Sequence, residues 1–188
     1  MVHMRRQYEI KAKAKRGFTL AETLLAVLIL LLVSTIVATG IPAAKSAYEK
    51  VVLASNAEVL LSTSISSLRN ELGTAKIIST DSSNKYIVYE NNARGVPSRL
   101  YLAPVDSTKV GGPDTIWIKP EDGSLVADDT PIRLVSKKAS TADLYVTYEK
   151  VTYNSSTNII QFKNLTVNRE SGSEPLIERE FFSIRNIS

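Results

Sequence analysis

The sequence predicts an α+β fold: a long N-terminal helix, transmembrane in its first half and amphipathic in its second, packed on an antiparallel β-sheet head. Three observations carry this. Residues 18–38 form a run of 21 residues with a single charge, Glu22. Residues 43–72 continue with apolar side chains at spacings near three and four, and Gly73 follows the last of them as a stop. Beyond Gly73 the chain breaks into short alternating runs rich in β-branched and aromatic residues, separated by turn formers.

The apolar run comes first. At about 1.5 Å per residue it spans roughly 30 Å, the thickness of a bilayer core. The net charge of +4 is not spread evenly. Arg5, Arg6, Lys11, Lys13, Lys15 and Arg16 against Glu9 put +5 in residues 1–17 and leave −1 for the rest. This asymmetry places the N-terminus in the cytoplasm and sends the body across the membrane. A cleaved secretory signal would have a shorter apolar core, about 7–15 residues, and a better cleavage site than Ala38-Thr39-Gly40. A plain single-pass anchor explains the length and the flanks. It leaves Glu22, whose charge costs about 2.5–3.5 kcal/mol inside a span unless it snorkels out or finds a partner.

Lys15-Arg16-Gly17-Phe18-Thr19-Leu20-Ala21-Glu22 resembles the processing site of type IV prepilins and pseudopilins. The likeness covers the basic leader, the glycine, the phenylalanine, the Thr-Leu pair, the glutamate and the apolar run, about residues 11–40 of 188. It implies a leader over 1–17 carrying Lys15 and Arg16, cleavage between Gly17 and Phe18 by a prepilin peptidase/N-methyltransferase, and N-methylation of Phe18. It also implies assembly with other pilin subunits through the N-terminal helix, driven by an inner-membrane assembly platform and its ATPase machinery. Before assembly the chain sits in the lipid of the cytoplasmic membrane, single pass with its N-terminus inside; afterwards it belongs to an extracytoplasmic filament or the cell surface. Glu22 then has a purpose: paired with the new ammonium of a neighbour's Phe18, it neutralises two charges and fixes the register between subunits.

Gly40 and Pro42 interrupt the apolar pattern and predict a kink or a locally unwound stretch, closing a polymerisation helix over 18–42. The family's usual proline lies a few residues earlier, where this chain has Thr39. A second helix over 43–73 is expected to pack on the head through Tyr48, Val51, Val52, Val59, Leu60, Ile65, Leu68 and Leu72. The head, 74–188, carries expected strands at 76–79, 85–90, 99–103, 115–119, 132–135, 144–153, 159–167 and 176–184. A hairpin is expected across Asn154-Ser155-Ser156-Thr157-Asn158, and turns at Gly111-Gly112-Pro113 and Glu121-Asp122-Gly123. The pilin resemblance implies the same arrangement.

Chemistry is scarce. There is no cysteine, and the only histidine is His3. Thiolate chemistry, histidine-based triads and histidine-ligated metal sites are therefore excluded from the body. No cofactor or metal is expected, since the acids at Asp81, Asp106, Asp114, Glu121, Asp122, Asp128 and Asp129 match no calcium-loop spacing. Arg133, Lys137 and Lys138, near Tyr145 and Tyr148 in sequence, admit a nucleic-acid partner but fall short of the footprint such binding needs. The chain is thus expected to be no enzyme but a structural filament subunit, a minor pilin or pseudopilin. The rival is a membrane-anchored extracytoplasmic binding module that never polymerises, and a carboxylate-only hydrolase is a distant third.

Overall fold

A computed structural model describes residues 18–91, 96–105, 113–120, 131–136, 143–172 and 174–187. Helix α1 (Leu20–Leu72) comes first, and nine antiparallel strands follow it among the described residues. The chain divides into two compact units, residues 1–48 and 49–188.

In the first unit every described side chain is exposed. The helix carries on through Gly40 and Pro42, which corrects the expected unwinding: both residues are helical. Pro42 removes one backbone donor, but the alanines around it, Ala38, Ala43 and Ala44, are strong helix formers and hold the turn.

In the second unit the helix buries Ala57, Leu61, Ser64, Leu68 and Leu72, at steps of three and four, with Leu60 beside them. Leu60, Leu68 and Leu72 are where the sequence pattern places them. Tyr48, Val51, Val52 and Val59 are not, since all four are exposed. The inward stripe instead takes Ala57 and Ser64, whose small side chains let the helix approach the sheet, and the Ser64 hydroxyl is satisfied by donating to the Leu60 carbonyl at 2.8 Å. The helix ends at Gly73, where a Cβ would sit 2.6 Å from the Arg69 carbonyl oxygen. Asn186 closes this end: its Nδ2 donates to the carbonyls of Leu72 at 2.7 Å and Ala75 at 2.6 Å.

The head holds two sheets, not one. The first is a five-stranded meander: β1 (Lys76–Thr80), β2 (Ile87–Glu90), β3 (Pro97–Pro104), β4 (Asp114–Pro120) and β5 (Ile132–Arg133), paired in that order. Ile87, Tyr89, Leu100, Ile116 and Ile118 alternate into the core that contains the helix stripe. Tyr89 also donates its hydroxyl to Glu71 of the helix at 2.7 Å.

The second sheet is built on β8 (Ile159–Arg169). Its one side pairs with β9 (Ile177–Arg185), its other with β6 (Leu144–Thr147) and then β7 (Lys150–Asn154). The single strand expected over 144–153 is therefore two. The break falls at Tyr148, which turns into the core against Phe162, ring centroids 5.3 Å apart. The β7–β8 hairpin forms at the expected loop, where the Asn154 carboxamide oxygen accepts the amides of Ser156 and Thr157. Hydrogen bonds that join the two sheets include Thr115 hydroxyl to the Val146 carbonyl, Tyr148 hydroxyl to the Lys85 carbonyl, and Val151 amide to the Asn84 carbonyl. The expected turns at Gly111-Gly112-Pro113 and Glu121-Asp122-Gly123 lie wholly or mostly outside the described residues. The architecture is α+β, a long N-terminal helix followed by antiparallel sheets, consistent with the pilin-like fold.

Candidate functional site

The chemistry singled out by the sequence gathers at the N-terminal end of α1. Lys15, Arg16 and Gly17 lie outside the described residues. Phe18 stands 82 % exposed, two residues before the helix. Thr19 is the N-cap and Glu22 closes the first turn on it. The Thr19 amide donates to Glu22 Oε2 at 2.8 Å and the Thr19 hydroxyl to the same oxygen at 3.0 Å; the Glu22 amide returns a bond to Thr19 Oγ1 at 3.2 Å. This is a reciprocal capping box, which satisfies orphan donors of the first turn and sets a carboxylate against the positive end of the helix dipole. The Thr-x-x-Glu spacing of a capping box is present in the sequence at Thr19 and Glu22.

The capping box engages Oε2 alone. Oε1 of Glu22 accepts no hydrogen bond among the described residues. One carboxylate can therefore cap its own helix and still offer an acceptor to an external ammonium.

Past Glu22 the surface is apolar on all sides. Leu24, Leu25, Leu28, Leu31, Leu32 and Ile36 are all more than half exposed or at half, and no side chain of the apolar window is buried. The few hydroxyls here make no demand on the surroundings. Thr23, Ser34, Thr35 and Thr39 each donate to a carbonyl three or four residues back, at 2.7–2.9 Å in their shortest bonds. A segment with its backbone bonded internally and its hydroxyls turned onto that backbone suits hydrocarbon. The helix is long and apolar enough to span a membrane. Gly40 leaves open space where a side chain would sit.

Of the cations singled out for a nucleic-acid partner, the structure describes Arg133 alone. Tyr148 is buried, so it offers no ring to a ligand, and Lys137 and Lys138 lie outside the described residues. Arg133 is half-buried over the Trp117 ring at 6.0 Å, and its buried Nε has no hydrogen-bond partner among the described residues. Among the described residues no group of three acids or histidines is placed to hold a metal. No family model matches the chain, and neither does any curated protein or solved structure.

Proposed function

We propose that this chain is a structural subunit of a type IV pilus-like filament, a minor pilin or pseudopilin, cleaved after Gly17 by a prepilin peptidase and assembled through its N-terminal helix. It is not an enzyme. The observation that carries the reading is the sequence Lys15-Arg16-Gly17-Phe18-Thr19-Leu20-Ala21-Glu22 set against an apolar helix surface with no covering in the single chain. Lipid covers that surface before assembly and neighbouring helices cover it afterwards. In the filament the free Oε1 of Glu22 takes the Phe18 ammonium of an adjacent subunit, and the pair fixes their register.

A second reading has one observation in its favour. The capping box gives Glu22 a task within its own chain, which a non-polymerising anchored binding module would need as much as a pilin. Two experiments separate them. N-terminal mass spectrometry of the membrane protein, with and without the prepilin peptidase, returns a chain beginning at N-methylated Phe18 for a pilin and an intact leader for an anchor. Glu22→Gln then isolates the charge, because glutamine preserves the capping geometry. The pilin reading expects an unchanged amount in the membrane and at least about a tenfold fall in filament incorporation, since leaving one member of a buried pair alone costs about 3–5 kcal/mol. Normal incorporation of Glu22→Gln would leave the capping box as the whole role of this residue.

A further inference from the structure

The head carries a second feature that the filament reading does not use. A groove of about 610 Å³ opens between the β1–β2 turn, the outer face of β3 and the start of β4, and the break between β6 and β7. Its size is that of a small-ligand site. Its walls are fixed before anything binds. The turn from Asp81 to Tyr86 is closed by the Asp81 amide on the Tyr86 carbonyl at 3.0 Å and the Asn84 amide on the Asp81 carbonyl at 2.9 Å. Asn84 takes a left-handed φ of 57° there. From below, Val151 donates to the Asn84 carbonyl at 2.7 Å and buried Tyr148 to the Lys85 carbonyl at 2.8 Å. Arg99 sits over Tyr86, its Cζ 4.4 Å from the ring centroid. Glu149 is held by Lys163 at 3.3 Å and by Asn164 Nδ2 at 2.7 Å.

Two groups in this fixed frame are unengaged. The Asp114 carboxylate and the Tyr101 hydroxyl form no hydrogen bond among the described residues, and both line the groove. The half-exposed Tyr101 ring also presents an aromatic surface there. Charge then narrows the ligand. Asp81, Asp114 and Glu149 face Lys85 and Arg99, and Lys163 offsets Glu149, so the two signs nearly cancel. A polyanion would find no net field to hold it. A hydroxyl-rich ligand both donates to carboxylates and accepts from cations, and its C–H face packs on an aromatic ring.

We infer that this groove binds a neutral saccharide, with Asp114 accepting from its hydroxyls, Arg99 and Lys85 donating to them, and the Tyr101 ring beneath the sugar. The site belongs to the head and does not depend on how the N-terminal helix is processed.

The test uses the full chain in detergent on an array of neutral mono- to tetrasaccharides, with heparin and single-stranded oligonucleotides printed alongside. At least one neutral saccharide is retained in preference to both polyanions. Tyr101→Ala and Asp114→Asn each weaken it by about tenfold or more, while Tyr101→Phe keeps most of the binding because the ring remains. Equal thermal unfolding of the variants and the parent shows that the loss is local. Retention of no neutral saccharide, retention equal in both variants, or preference for heparin or oligonucleotide overturns the inference.

Discussion

The two parts of α1 make opposite use of apolar side chains. In residues 18–48 they point outward in every direction and none is buried. In residues 49–72 the helix buries one stripe, and that stripe is not simply the most apolar one: Ala57 and Ser64 lie inside while Val51 and Val59 are 67 % and 63 % exposed. Apolar character therefore decides the environment of the first part and only half decides the second. In the head, shape counts as well, because a helix can come down on a sheet only where its side chains leave room.

The largest test of this contrast is a matched truncation. Leu68→Ala removes a fully buried side chain from the core and should cost the head about 2–5 kcal/mol in urea unfolding of the detergent-solubilised chain. Leu28→Ala, the same change in the outward-facing part, should shift the same transition by less than about 0.5 kcal/mol. Equal losses would mean that the apolar part folds against the head.

A charge scan sharpens the comparison from the other side. Leu28→Arg puts a cation in the middle of the apolar run, at a cost of about 2.5–3.5 kcal/mol for membrane insertion, and should lower the membrane-integrated fraction in a carbonate-extraction assay. Val59→Arg, also on an exposed face of α1 but in the part that packs on the sheets, should leave integration unchanged.

The smallest effect lies at the junction of the sheets. Tyr148→Phe deletes one buried hydrogen bond and should cost about 1 kcal/mol near neutral pH. Burial pushes the Tyr148 phenol well above its ordinary value of 10, so above that pH the unfolded chain gives up this proton while the folded chain keeps it. The parent then loses stability as pH rises. Tyr148→Phe has no phenol to ionise there, and its deficit against the parent should narrow as unfolding is measured at successively higher pH above 10.

Most strands were legible because a half-buried strand writes its alternation into the sequence, as in Leu100, Ile116 and Ile118 against Arg99, Trp117 and Lys119. The break at Tyr148 was only faintly legible: the inward positions Leu144, Val146 and Tyr148 fall two apart, and the adjacent Glu149 and Lys150 shift the phase to Val151, a slip that fits a bulge in one strand as well as a boundary between two. The inward stripe of α1 was half legible for a related reason: counting apolar residues passes over a buried serine that satisfies itself. At the N-terminus the capping box was written in four adjacent letters, yet its geometry needed the fold to show that one oxygen of Glu22 is spent and one is spare. The groove could not be read at all, since Asp81, Tyr101, Asp114 and Glu149 come together only once both sheets are in place.

The bond from Asn186 to Leu72 reaches across 114 residues of chain. At synthesis rates of about 5–20 residues per second, Leu72 is made roughly 6–23 s before its cap exists. Through the first part of that interval the inward face of α1, with Leu60, Leu61 and Leu68, has no complete sheet to cover it, although the segment ahead of it is already long and apolar enough to span a bilayer. Under the membrane reading proposed above, the chain would be tethered before it is folded, and the tether would spread the sticky nascent segments of neighbouring copies over a membrane plane while each head waits for β9.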